Sequence, residues 1–175
     1  RVYHFNFNPQ TGELSAAGEF AAVNDPNSPG HSFIGDVAVS PDGHLLYAAD
    51  LLENQIAVIN LQSGRLIERW KCCRRPFRIL ILPGGKQFLV SSWADASLYQ
   101  YDATTGTQVA QIRVAPHPTD LFWLNKPAST DNSDRVTYSA RLFVAAANTN
   151  NVYVYGVTAA GEFNKLEVIN TSLTP

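Results

Sequence analysis

Methionine is absent from this chain of 175 residues, and cysteine occurs only twice, at the adjacent positions Cys72 and Cys73. Neighbouring cysteines cannot staple distant segments together, so a disulfide framework is excluded. Charge is also scarce: Asp, Glu, Lys and Arg make up 16% of the residues, 13 basic against 15 acidic, for a net charge of −2. That balance excludes attachment to nucleic acid by bulk electrostatics. No apolar run reaches the roughly 18 residues that a membrane-spanning helix needs. The chain opens at Arg1 with neither the basic nor the apolar region of a signal peptide, which predicts a segment cut from something longer. What is abundant is ordinary globular material, 45% hydrophobic, so disorder, collagen and coiled coil are set aside.

A repeat organises that material. Ser40-Pro41-Asp42-Gly43 returns as Leu82-Pro83-Gly84-Gly85, 42 residues later. The same offset carries Leu46 to Phe88, Ile56 to Leu98, Asn60 to Asp102 and Gly64 to Gly106. A third copy runs through Leu142-Phe143-Val144, Asn150-Asn151-Val152 and Gly161 at an offset of 54, its extra residues falling in the polar run Asn125 to Ser139. A truncated copy opens the chain, with Val2 to Asn6 matched to Ile56 to Asn60 and Thr11-Gly12 matched to Ser63-Gly64.

Within each unit the apolar runs are short, rich in Val, Ile, Leu, Phe and Tyr, and bounded by Gly, Pro, Asn and Asp, which predicts strands. No segment sustains the spacing of an amphipathic helix. One unit reads as strands over 35–40, 44–50, 54–60 and 65–71. First strands such as Val37-Ala38-Val39 and Leu121-Phe122-Trp123 are apolar throughout and predict full burial, whereas the fourth alternates, with Ala110, Ile112 and Val114 against Gln111 and Arg113. A repeated four-stranded antiparallel unit of this length is a β-propeller blade, and a plain β-sandwich does not repeat in sequence at this period. The fold class is therefore all-β: about three and a half propeller blades in one partial domain over 1–175, with blade ends near 30, 76 and 118. Closure at seven blades is expected, and the two open edges require the rest of a parent chain or a second copy.

Ser40-Pro41-Asp42-Gly43, Leu46-Tyr47-Ala48-Ala49-Asp50, Asn54-Gln55-Ile56-Ala57-Val58-Ile59-Asn60 and Ser63-Gly64 together resemble the YVTN repeat. The likeness departs from that family at Asp50 and Ser92, where Asn is usual, and in the 125–139 insertion. The blades, and the opening Asn8 to Leu14, are also similar to propeller lactonases of the 6-phosphogluconolactonase type. The YVTN resemblance implies an exported bacterial protein, periplasmic or extracellular, whose enzymatic domain, a phosphoesterase for example, lies elsewhere. Its motif residues belong to hairpins and core and do not themselves define a function.

Chemistry is expected where loops joining strand two to three, and strand four to the next strand one, gather at the channel mouth. Asp36, Arg78 and Asp120 stand 42 residues apart at the start of successive innermost strands and should face one another there. They could grip a polar ligand, or simply neutralise one another. Arg74 and Arg75 belong to a basic run, 69–78, that Trp70 and Phe77 interrupt; it suits an anion or a stacked base, or is a solvated loop. His31 and His117, with Asp36, Asp50 or Asp120, could act as bases, but no ligand spacing supports a metal. Cys72 and Cys73 read as two thiols, and nothing in the sequence implies a cofactor. The expectation is a non-catalytic recognition scaffold holding a small anionic or polar ligand, or a protein, at its mouth. A lactonase-like hydrolase is the alternative, and a binder of single-stranded nucleic acid through 69–78 the third reading. The 125–139 insertion is expected to be an exposed, mobile loop.

Overall fold

The computed structural model describes residues 2–20, 32–130 and 136–171. A hairpin of β1 (Val2–Phe7) and β2 (Leu14–Phe20) precedes three four-stranded antiparallel sheets. The first full blade is β3 (Ile34–Val39), β4 (Leu45–Asp50), β5 (Gln55–Asn60) and β6 (Arg65–Lys71). The second is β7 (Pro76–Ile81), β8 (Gln87–Ser92), β9 (Ser97–Asp102) and β10 (Gln108–Arg113). The third is β11 (Pro118–Thr130), β12 (Thr137–Ala146), β13 (Asn151–Thr158) and β14 (Phe163–Asn170). Strands pair in chain order within each sheet, the meander of a propeller blade.

The repeated residues are turn devices. Asp102 Oδ1 accepts from the backbone N–H groups of Thr104 and Thr105 at 2.9 Å each, and Asn60 does the same for Ser63 at 2.8 Å. Gly106 and Gly64 close those turns at φ of 67° and 65°, a region that glycine enters without penalty. In the first hairpin the same place is taken by Asn8, whose carbonyl receives Gly12 N–H at 2.8 Å. Asn6 is therefore not the counterpart of Asn60, and Asn8 stands four residues before Gly12 as Asn60 does before Gly64. The hydrogen bonds from Thr105 and Thr104 hold the Asp102 carboxyl below its usual value of 3.8. A depressed folded-state pKa contributes stability above the unfolded value, lost as pH falls through the folded one. Asp102→Asn should therefore flatten the dependence of melting temperature on pH below about 4, while an unchanged acid limb would refute this role.

Packing joins blade to blade through strands with two buried faces. Phe88 and Val90 enter a cluster with Tyr47, Ile56 and Ile79, whereas Leu89, between them, joins Leu98, Leu121 and Leu142 on the other side. Phe20 packs the first hairpin onto Leu46, Ala48 and Ile59. Phe88 stacks with Tyr47 at 5.3 Å and Tyr101 at 5.5 Å, and Trp70 lies beside it at 6.4 Å.

Two expectations fail here. The innermost strands are not fully buried: Val39 is 50% and Phe122 61% exposed. They are the innermost strands of their blades, and no blade lies opposite them among the described residues. The described residues of the 125–139 insertion extend the sheet and form no free loop. β11 runs to Thr130 and pairs Ser129 with Tyr138 and Thr130 with Thr137, after a register break beyond Asn125. Polar residues and Pro127 hid this extension, because no apolar alternation marks it. The tip, 131–135, lies outside the described residues.

Candidate functional site at the channel mouth

Every innermost strand carries a register shift near its start, around Gly35, Phe77–Arg78 and Thr119. Such bulges re-aim the side chains beside them. Here they bring Asp36, Arg78 and Asp120, one from each full blade, into a single ion cluster. Arg78 Nη1 donates to Asp36 Oδ1 at 3.1 Å, and its Nε lies 2.9 Å from Asp120 Oδ1, an ionic contact without hydrogen-bond alignment. The backbone N–H of Arg78 is pinned to Ser91 Oγ at 3.0 Å. Asp36 spends its second oxygen on Ile79 N–H at 2.8 Å, and its side chain is only 13% exposed. Asp120 Oδ1 also accepts from Leu121 N–H at 2.9 Å.

The three members are therefore unequal. Asp36 has both oxygens engaged and positions the guanidinium. Asp120, whose side chain is 65% exposed, keeps Oδ2 without a hydrogen-bond partner among the described residues. Arg78 keeps Nη2 likewise, with its side chain 41% exposed. The free atoms are one anionic acceptor and one cationic donor.

The loops around this cluster are stitched by the same backbone bonds in each blade. Leu51, Trp93 and Ala147 donate to the carbonyls of Phe33, Arg75 and His117 at 2.8, 3.0 and 2.9 Å. Cys72, Val114 and Thr171 donate to those of Asn54, Ala96 and Asn150 at 2.9, 2.9 and 2.8 Å. His117 Nδ1 lies 3.1 Å from Trp93 O; a carbonyl only accepts, so this nitrogen carries a proton and Nε2 is the ring nitrogen left outside that bond. Asp50 is wholly buried and receives Phe33 N–H at 3.2 Å and Glu53 N–H at 3.3 Å, which makes it a turn cap instead of a mouth ligand. Among the described residues no cluster of His, Cys, Asp and Glu could hold a metal. His31 lies outside the described residues.

The basic run is divided. Arg74 is tied to Asp95 at 3.5 Å, Arg78 to the two aspartates, and Trp70 packs at the joint between blades. Arg75 projects with its backbone N–H held by Asn54 Oδ1 at 2.7 Å. Cys72 and Cys73 are free thiols with sulfurs 3.4 Å apart. The hydrogen bond to Cys72 and burial push the Cys73 thiol up. Burial opposes ionisation of Cys72, but contacts from Cys73 and the Tyr101 hydroxyl outweigh it and lower that thiol. Sequence reading missed Asp95, which also receives Ser92 Oγ and the Tyr99 hydroxyl, and Trp93, whose ring lies 5.0 Å from both Phe77 and His117. Aligning 33, 75 and 117 with 51, 93 and 147 by the repeat would have exposed them.

Repeated four-stranded antiparallel blades define a β-propeller. The chain belongs to the family described as Lactonase, 7-bladed beta-propeller, whose pattern matches residues 1–108. No curated protein matches the sequence. Among solved structures, the chain is similar to a periplasmic gluconolactonase from Pseudomonas aeruginosa (16% identity, TM-score 0.61, covering 96% of this chain and 50% of that one). It is also similar to a Bacteroides fragilis protein classed provisionally as a 6-phosphogluconolactonase (16%, 0.66, covering 99% and 52%). A third is hydrazine synthase from Kuenenia stuttgartiensis (20%, 0.64, covering 96% and 43%). The chain thus spans about half the length of these structures, and at such identities they speak for the fold.

Proposed function

We propose that the Asp36–Arg78–Asp120 mouth hydrolyses lactones. A water on Asp120 Oδ2 attacks the ring carbonyl and gives its proton to that carboxylate. Arg78 Nη2 donates to the carbonyl oxygen as it gains charge. The ring C–O bond breaks, the leaving oxygen takes the proton back, and a hydroxy acid departs. The observation that carries this reading is the pair of free atoms, Asp120 Oδ2 and Arg78 Nη2, on one cluster whose remaining valences Asp36 and the backbone hold. Membership of a lactonase family supports it over the recognition scaffold expected from sequence. His117 Nε2 is a second acceptor on the same loop.

The hairpin β1–β2 occupies the third and fourth places of a blade. A complete blade there needs first and second strands beside this pair. The periplasmic neighbour supports placement outside the cytoplasm. Asp120→Asn in the full-length protein should lower kcat for a sugar lactone about a hundredfold with little change in KM. Unchanged turnover in that variant would refute the base assignment.

A further inference from the structure

Beside the ion cluster lies a second, chemically different feature. Phe33, Leu51, Leu52, Phe77 and Trp93 line a groove of about 330 Å³ between the first and second full blades, with Arg75 on its rim. That volume is within the range of small-molecule sites. We propose that this groove binds a hydrophobic organic carboxylate, its apolar body against the aromatic wall and its carboxylate on Arg75.

Three observations carry the assignment. The first is charge. Of the three arginines on this loop, Arg74 is tied to Asp95 and Arg78 to Asp36 and Asp120, whereas Arg75 has no carboxylate partner among the described residues. A guanidinium is the side chain best shaped for a carboxylate.

The second is composition. Apart from Arg75 the lining offers no hydrogen-bonding side chain except the Trp93 indole, and Phe33 and Leu52 stand 55% and 52% exposed. A polyhydroxylated sugar acid would surrender hydrogen bonds to water here without replacing them. An aryl or alkyl body removes exposed apolar surface instead.

The third is rigidity with local variation. The loops carrying the groove are held by Leu51 N–H to Phe33 O, Trp93 N–H to Arg75 O and Asn54 Oδ1 to Arg75 N–H. The third full blade keeps this backbone arrangement but has His117, Thr119 and Ala147 where the second has Arg75, Phe77 and Trp93. The scaffold repeats and the groove does not, so the groove is not a by-product of blade packing.

Binding at this groove does not rest on hydrolysis at Asp120, and either can fail alone. Calorimetry on the full-length protein with 4-phenylbutyrate as probe tests it, with 4-phenylbutanamide and gluconate as comparisons. Saturable binding of the carboxylate is expected, weakened about tenfold by Arg75→Gln and about equally by using the neutral amide, with no competition from gluconate. Trp93→Phe should keep the fold and abolish the ligand-induced change in tryptophan emission. Arg75 is exposed, so its variant should melt like the wild type. No saturable binding, equal affinity in Arg75→Gln, or displacement by gluconate would each overturn the proposal.

Discussion

Phe88→Ala is expected to cost about 3–5 kcal/mol of folding stability, the range for removing a large buried aromatic side chain. Phe88 is wholly buried and stacks on Tyr47 from the first full blade and Tyr101 from its own. Its loss leaves a hole at the joint between two blades, where neither sheet can collapse without giving up its register. At about 2–4 °C per kcal/mol for a chain of this size, the melting temperature should fall by roughly 6–20 °C. The corresponding position of the first blade is Leu46, so Phe88→Leu should recover part of the loss. A fall under about 1 kcal/mol on thermal or urea unfolding would mean that this joint does not hold the blades together.

Gly106→Ala should be nearly as damaging. The turn holds Gly106 at φ +67°, and an added Cβ would sit 2.3 Å from the Trp70 ring. Left-handed backbone costs an alanine about 1–2 kcal/mol, and displacing a packed ring adds about 1–3 kcal/mol. The repeat supplies its own control. Gly64 occupies the same turn one blade earlier at φ +65°, but its Cβ would meet Phe20 at an ordinary 3.4 Å. Gly64→Ala should thus show the backbone cost alone. Equal destabilisation of the two variants on thermal unfolding would show that Trp70 yields freely.

The blades were legible in the sequence because the devices that build them are local. Pro-Asp-Gly, Asn or Asp four residues before Gly, and short apolar runs each act within a few positions, and they recur at a fixed period. The same locality made Asp36, Arg78 and Asp120 visible as repeat-related positions. What stayed hidden depends on contacts between distant residues. The bulges that re-aim the three side chains lie inside each blade but leave no local sequence mark, and the unequal bonding of the two carboxylates and the lining of the groove beside Arg75 bring together residues far apart in the chain. Asp50 misled because a carboxylate at a loop is read as exposed, whereas this one caps a buried turn. The ladder beyond Asn125 was missed because its residues are polar and pairing alone, not alternation, makes it a strand.

The proposed lactone hydrolysis depends on Arg78 as the donor to the carbonyl oxygen. The most direct test is lactone opening by the full-length protein in a pH-stat, against the spontaneous rate, with Arg78→Ala beside the wild type. The account predicts turnover in the wild type and a loss of about a hundredfold or more in the variant, the scale for removing a preorganised donor to a developing oxyanion, with the folded structure retained. No turnover in the wild type, or equal turnover in both, would contradict it.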